Sequence, residues 1–284
     1  MHTCYLCQGK NFKKRTGRVR DNPNLEIIKC TYCGLVFLSS FSHIKEEFYE
    51  SSGMHEGDID IETLIREAKW DDERRFDFFK PLIENKSILD FGCGTGGFLL
   101  RARDIAKKVE GVEPERRLQS HFLKNNLNVS PDLNNISNFF DVITLFHVLE
   151  HIPDPRSILT RLAEKLKDKG QIIIETPNAN DALLQLYKSK PFSNFTYWSC
   201  HLFLFSVSTL FRLAESTCLT VNYIKQVQRY PLSNHLYWLA RGKPGGHKEW
   251  SFLNSRELHD AYEKQLASIG HCDTLLASFS KEQL

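Results

Sequence analysis

The sequence predicts an α/β protein built on a doubly wound, Rossmann-like sheet, and three observations carry that reading. Ser87-Ile88-Leu89-Asp90-Phe91 is a short apolar run that ends in Gly92-Cys93-Gly94-Thr95-Gly96-Gly97 and continues as an apolar-periodic segment, Phe98 to Ile105. This is the order strand, glycine turn, helix. Downstream, strand-like and helix-like periods alternate to about residue 227. Near the amino terminus, two Cys-x-x-Cys pairs mark a small module set apart from that alternation.

Length and composition agree with a protein of this class. The 284 residues suffice for one α/β domain with smaller attachments, and 41% hydrophobic and 25% charged residues are ordinary for a globular chain. A net charge of +2 argues against a surface made wholly for polyanions, while leaving room for a local basic patch. No apolar run is long enough to span a bilayer and Met1-His2-Thr3-Cys4 has no signal-peptide pattern, so a cytoplasmic location is expected. Eight cysteines in that setting point to metal or buried thiols before disulfides.

Taken in order, residues 1–45 form the first unit. Cys4, Cys7, Cys30 and Cys33 have the spacing of a structural zinc site in which each pair supplies two thiolates, giving a zinc-ribbon-like module with no open coordination position. Gly34 relieves the turn after the second pair. Lys13-Lys14-Arg15, Arg18 and Arg20 lie between the pairs, either as a solvated face or as contacts to phosphates of RNA or of a nucleotide-linked substrate. Leu35 to Leu38 reads as a strand packing the module on the body. A polar, acidic stretch around Phe48 to Gly53 marks the boundary, and a helix is expected over Ile61 to Phe79.

Residues 46–230 form the core. Asp90 ends its first strand beside the glycine turn. A carboxylate there opposes the pyrophosphate that the Gly92, Gly94, Gly97 spacing could otherwise suggest, and it suits a cationic ligand. Val109 to Pro114 is the second strand, and Glu113, about twenty residues past the turn, is placed to accept from ribose hydroxyls. A weak third strand is expected near Leu127 to Val129, and Asp141 to Phe146 is a fourth, buried on both faces. An amphipathic helix over Ile158 to Leu166 leads to strand Gln171 to Asn178. The aromatic insertion 180–205 then holds Tyr187, Phe192, Phe195, Tyr197, Trp198, His201, Phe203 and Phe205, divided between core and a lid over the cleft. Ser206 caps a helix to Glu215, and Leu219 to Val227 is a further strand. Residues 231–270 read as a cap insertion in which His235 and Trp238 could reach substrate, and 271–284 as the final sheet strand. Cys93, Cys200, Cys218 and Cys272 read as buried thiols.

Asp90-Phe91-Gly92-Cys93-Gly94-Thr95-Gly96 resembles motif I of class I S-adenosylmethionine-dependent methyltransferases, and His147-Val148-Leu149-Glu150-His151-Ile152-Pro153 resembles the segment after the fourth strand in their quinone-biosynthesis and related groups. The resemblance covers roughly Phe76 to Tyr223. It implies a seven-stranded methyltransferase sheet whose last strand lies antiparallel beside the fifth. It also implies that Asp90, Gly92, Cys93, Gly94 and Gly96 hold S-adenosylmethionine with Glu113, Asp132, Phe146 and His147. His151 would act on the acceptor, with His147, Glu150 and His201 as neighbours.

If residues 147 to 151 form a helical turn, His147, Glu150 and His151 share one face and could bind a second divalent metal, with His201 as a further ligand; otherwise His151 serves as a metal-free base. The zinc module, core and aromatic insertion together resemble sugar methyltransferases of bacterial polysaccharide and natural-product pathways. That implies a small, sugar-linked acceptor. The alternative is an RNA methyltransferase that docks RNA through the zinc module and its basic loop. The sequence leaves oligomeric state open.

Overall fold

The computed structural model describes residues 3–45, 47–50, 59–217 and 219–281. Residue 46, part of the acidic boundary stretch and Cys218 fall outside these residues.

Three short strands open the chain, β1 (Phe12–Lys14), β2 (Ile27–Cys30) and β3 (Val36–Leu38). Helix α1 (Ile61–Ile83) follows, capped by Asp60, whose carboxylate accepts from the Thr63 N–H at 3.1 Å. Then come β4 (Ser87–Phe91), α2 (Gly97–Ala102), β5 (Lys108–Val112), α3 (Gln119–Lys124), β6 (Val129–Ser130) and β7 (Phe140–Phe146). Helix α4 (Pro155–Glu164) begins with Asp154 as cap and proline in its first turn, both favourable at a helix start, and leads into β8 (Leu166–Pro177). The insertion contains the short helices α5 (Ala182–Gln185) and α6 (Lys190–Ser193) and ends in β9 (Phe203–Leu204). Helix α7 (Val207–Glu215) starts with a reciprocal Ser206–Thr209 capping box, and β10 (Leu219–Val227) follows. The remainder is α8 (Leu232–Arg241), α9 (Gly246–Glu249), α10 (Arg256–Ser268) and β11 (Thr274–Lys281).

The large sheet has the order β10-β11-β8-β7-β4-β5-β6. Its β4 to β8 members are parallel and β11 enters antiparallel between β8 and β10, as the resemblance implies. The central strands are apolar on both faces: Ile88, Leu89, Ile143, Leu145, Ile172 and Ile174 are all fully buried. Strands so buried must be covered by helices on both sides, which sends the functional loops to the carboxyl ends of the parallel strands.

The first unit is not self-contained. Its sheet has the order β1-β2-β3-β9, so the last strand comes from the end of the aromatic insertion, some 165 residues later, through the pairs Val36–Leu204 and Phe37–Phe203. The cut expected at residue 45 therefore crosses a continuous sheet. Tyr5 and Phe41 pack on Phe203 at ring separations of 5.3 and 5.1 Å, and Arg156 of α4 donates to the Leu6 carbonyl at 2.9 Å. The small sheet thus shares its core with the large one.

Candidate active site

At the end of β4 the chain turns through Gly92, with φ +75°, and Gly94, with φ +52°. These left-handed torsions are strained for side-chain-bearing residues. A Cβ on Gly92 would strike the Val148 side chain at 2.4 Å, whereas one on Gly94 would meet nothing within 4 Å. Gly92 is therefore required by packing, and Gly94 leaves main chain facing open space. The Gly94 N–H donates to Glu113 at 2.8 Å, and the other Glu113 oxygen accepts from the Glu115 N–H at 3.1 Å. Asp90 is buried, paired in register with Thr144 of β7 and accepting from its hydroxyl at 2.7 Å. Burial pushes both Asp90 and Glu113 up to about 7. Two acids so placed favour a ligand bearing positive charge and hydroxyl donors, which fits S-adenosylmethionine. Asp132 lies beyond β6, where both its oxygens are engaged by Asn134 at 2.9 and 3.1 Å. Cys93 is half-buried at the turn, and Phe146 packs on Phe79 and Phe98.

The segment after β7 does not form one helical face. Only Leu149–His151 makes a 3-10 turn, and His147, at a left-handed φ of +56°, lies outside it. His147 Nδ1 lies 3.2 Å from Glu150 and Nε2 lies 3.3 Å from Glu175. Burial alone would push His147 down, but the two carboxylates outweigh it and raise its pKa. Burial would raise Glu150, yet His147 holds it down at about 2. Glu150 is completed by the Thr176 hydroxyl at 3.0 Å. Glu175, fully buried, accepts from Arg74 at 2.8 Å and Arg75 at 2.7 Å, and these guanidiniums keep it ionised against desolvation.

The helical-face expectation grouped His147 with Glu150 and His151. Instead, Glu150, His151 and His201 have ligand atoms within 4.8 Å of one another. The His151 and His201 rings meet edge to face at 4.8 Å. Burial lowers His151 and takes His201 down to about 3, so both are neutral imidazoles. Nδ1 of His151 is buried without a hydrogen-bond partner among the described residues.

These histidines open on a cleft of about 620 Å³. Phe192, Phe195 and Trp198 of the insertion line it, with His235 and Trp238 of the cap and Arg20 of the first unit. Tyr197, Phe203 and Phe205 are fully buried, so the insertion is lid and core at once. Asp181 and Asp273 also line it; burial pushes Asp181 up to about 8. Sequence reasoning missed Arg74, Arg75, Glu175 and the Asp71–Arg229 pair at 2.8 Å, because no local spacing links these residues. The Asp72 carboxylate would be 2.0 Å from a Cβ at Gly97, which explains the second glycine of the Gly96-Gly97 pair.

Remote from this cleft, the Cys4, Cys7, Cys30 and Cys33 sulfurs lie within 4.8 Å of one another, with Cys4–Cys33 and Cys7–Cys30 at 3.5 Å. A zinc–sulfur distance of about 2.3 Å gives a tetrahedron with edges of roughly 3.8 Å, so the four sulfurs fit a tetrahedral zinc. Backbone N–H groups of Leu6 and Cys7 face the Cys4 sulfur, and those of Tyr32 and Cys33 face Cys30, as in paired metal knuckles.

A methyltransferase-domain family model matches residues 64–222, more than half of the chain. The chain belongs to this family, and its fold is the Rossmann-like fold of the class I S-adenosylmethionine-dependent methyltransferases. Among curated proteins it is 34% identical over 107 residues to the ubiquinone biosynthesis O-methyltransferase of Erwinia tasmaniensis, covering 34% of this chain and 44% of that one. It is 28% identical over 133 residues to the tRNA U34 carboxymethyltransferase of Aliarcobacter butzleri, covering 42% and 44%. Each match spans less than half the relative's length. A solved complex of the Haloferax volcanii Trm112 methyltransferase activator with a putative methyltransferase superposes with TM-score 0.51 at 14% identity, over 80% of this chain and 100% of the other. Coclaurine N-methyltransferase gives 0.50 at 13% identity, over 74% and 70%. At such identities the structural likeness speaks for the fold alone. Among the described residues no helix is long and apolar enough to cross a membrane.

Proposed function

We propose that the protein transfers the methyl group of S-adenosylmethionine to a small sugar-bearing acceptor, a nucleotide-linked sugar or glycan precursor. The observation that carries the reading is the cleft: about 620 Å³, walled by Phe192, Phe195, Trp198 and Trp238, with buried polar groups such as His151 and Asp181 in its lining. That size and mixture suit a small molecule with apolar ring faces and hydroxyl edges. Bound S-adenosylmethionine supplies an electrophilic methyl on a sulfonium. Asp90, the Gly92 to Gly96 main chain, Cys93 and Phe146 would hold it, with Glu113 on the ribose and Asp132 near the base. The aromatic walls orient the acceptor for in-line attack, and His151 takes the acceptor's proton. His147 acts differently, as a ring fixed between Glu150 and Glu175 that holds the loop and its own backbone beside the donor. Four thiolates around zinc have no open position and serve structure.

Glu150, His151 and His201 could accept a divalent cation. The reading without metal is preferred because His147 and Thr176 already engage both Glu150 oxygens. Methyl transfer should therefore persist under chelation that leaves zinc on the cysteines, and loss of activity restored by Mg²⁺ or Mn²⁺ would overturn it.

RNA is the second reading, favoured by the tRNA-modifying relative. Against it, Arg15 is turned inward to the Ala179 carbonyl and Lys14 pairs with Glu26, so the basic loop is partly consumed within the protein. Incubation of a cell extract with labelled S-adenosylmethionine distinguishes the two. Label is expected in the nucleotide-sugar fraction; label in nuclease-sensitive material would overturn the small-molecule reading.

A further inference from the structure

Arg20 comes from the four-cysteine unit yet lines the catalytic cleft. Its guanidinium carbon lies 4.7 Å from the Trp198 ring centroid and 5.2 Å from that of Phe195. Its backbone N–H donates to the Tyr197 carbonyl at 2.9 Å. The neighbouring Asp21 accepts from the Ser199 N–H at 2.9 Å and hydroxyl at 2.6 Å. The segment is thereby sewn to the insertion on both sides of Trp198. Stacking of this kind fixes the plane of a guanidinium while leaving its N–H edge free to bind.

The other arginines of the cleft are committed. Arg75 is bound to Glu175 at 2.7 Å and Arg229 to Asp71 at 2.8 Å. Arg20 has no carboxylate within ion-pair distance among the described residues, and Asp21 is turned to Ser199. It is also near the chemistry: Trp198 lies 5.8 Å from His201, whose ring is 4.8 Å from His151. A preoriented guanidinium without a counter-ion, on the wall of a substrate cleft, is suited to a phosphate oxygen pair.

We infer that Arg20 is the docking residue for a phosphate or pyrophosphate group of the acceptor, so that the four-cysteine unit contributes directly to substrate specificity. The inference rests on the small-molecule reading and deepens it by requiring a phosphorylated acceptor. Arg20 is a specificity residue here and takes no part in the methyl transfer itself, so its loss should raise KM for the acceptor and leave kcat and cofactor binding nearly unchanged.

The test is calorimetric titration of the full chain with inorganic pyrophosphate and with uridine diphosphate. Wild type is compared with Arg20→Met, which keeps an apolar stem, and Arg20→Lys, which keeps the charge. Loss of one charge-assisted anion contact should weaken binding by about tenfold or more in Arg20→Met. Arg20→Lys should retain part of it, and S-adenosylmethionine should bind all three proteins alike. Failure of the wild type to bind either probe, or equal binding by Arg20→Met, overturns the inference. The extract labelling separates this from the acceptor reading. Label in sugars with pyrophosphate binding indifferent to Arg20 leaves that reading standing and removes the docking role. Label in RNA with Arg20-dependent pyrophosphate binding supports the anion site and overturns the small-molecule reading.

Discussion

His147 and His151 stand one helical turn apart in sequence and shift in opposite directions: two carboxylates outweigh burial and raise His147, while burial lowers His151. His147 lies between Glu150 and Glu175, while His151 faces the cleft with a buried, unpartnered Nδ1. A base works only when deprotonated, and burial has moved His151 below its ordinary 6.5. The acid limb of kcat/KM should therefore fall below pH 6.5, with a plateau through neutrality. His151→Ala should lower kcat by about 10² to 10⁴ while cofactor affinity holds, the usual span for loss of general-base catalysis. Equal loss in His147→Gln with a shift in cofactor affinity would mark His147 as a positioning residue for the donor. Also in the cleft lining, Asp181 is held up to about 8 by burial with Asp273 beside it. A carboxyl with a raised folded-state pKa lends stability below its unfolded value near 3.8 and loses it as pH climbs to the folded one. Asp181→Asn keeps an oxygen for the Leu183 N–H, and its stability advantage should grow by roughly 1 kcal/mol per pH unit between pH 5 and 8. Thermal unfolding at those two pH values measures it, and a pH-independent difference would mean that Asp181 is ionised in the native protein.

Element by element, the strand–glycine–helix unit makes the sharpest distinction. Gly94→Ala places a methyl in open space, at a strain of about 1–2 kcal/mol for a left-handed L-residue. It should fold and bind S-adenosylmethionine weakly. Gly92→Ala adds a collision with Val148 to similar strain, so its melting temperature should fall further. If Gly94→Ala binds the cofactor as wild type does, the open face of the turn is not the donor site. This unit was legible because its information is local: Asp90, the glycines and the Phe98 period all lie within about three turns of chain. Strand β11 was legible only through the family resemblance, since nothing in Thr274 to Lys281 names β8 as its neighbour. Other features were hidden for physical reasons. The left-handed torsion at His147 breaks the helical spacing that had grouped it with Glu150 and His151. Glu175, at the end of an apolar strand, gives no sign that Arg74 and Arg75, a hundred residues earlier, will neutralise it. Ion pairs between distant segments follow from topology, which sequence spacing does not encode.

At the scale of the molecule, the four-cysteine unit and the aromatic insertion form one body. Strand β9 is hydrogen-bonded to β3, Asp21 grips Ser199, and Arg20 is packed on Trp198. The glycine turn proposed to hold the donor, by contrast, lies among β4, β5 and β7 of the large sheet. Metal loss should therefore act unequally on the two substrates. Without zinc the Cys4–Cys7 and Cys30–Cys33 knuckles lose the bonds that hold β2 and β3 in place, and structural zinc often supplies folding energy outright. The insertion then loses its sheet partner, and the acceptor wall formed by Phe195 and Trp198 loosens. Stripping the metal with a thiolate-competitive chelator should release one zinc per four cysteines, sharply raise KM for the acceptor, and leave calorimetric binding of S-adenosylmethionine in place. Cys33→Ser should reproduce the pattern, with Cys272→Ser as a control for loss of a buried thiol outside the cluster. Loss of cofactor binding in step with acceptor binding would show instead that the small sheet supports the entire fold, and the division of labour between the two sheets would be wrong.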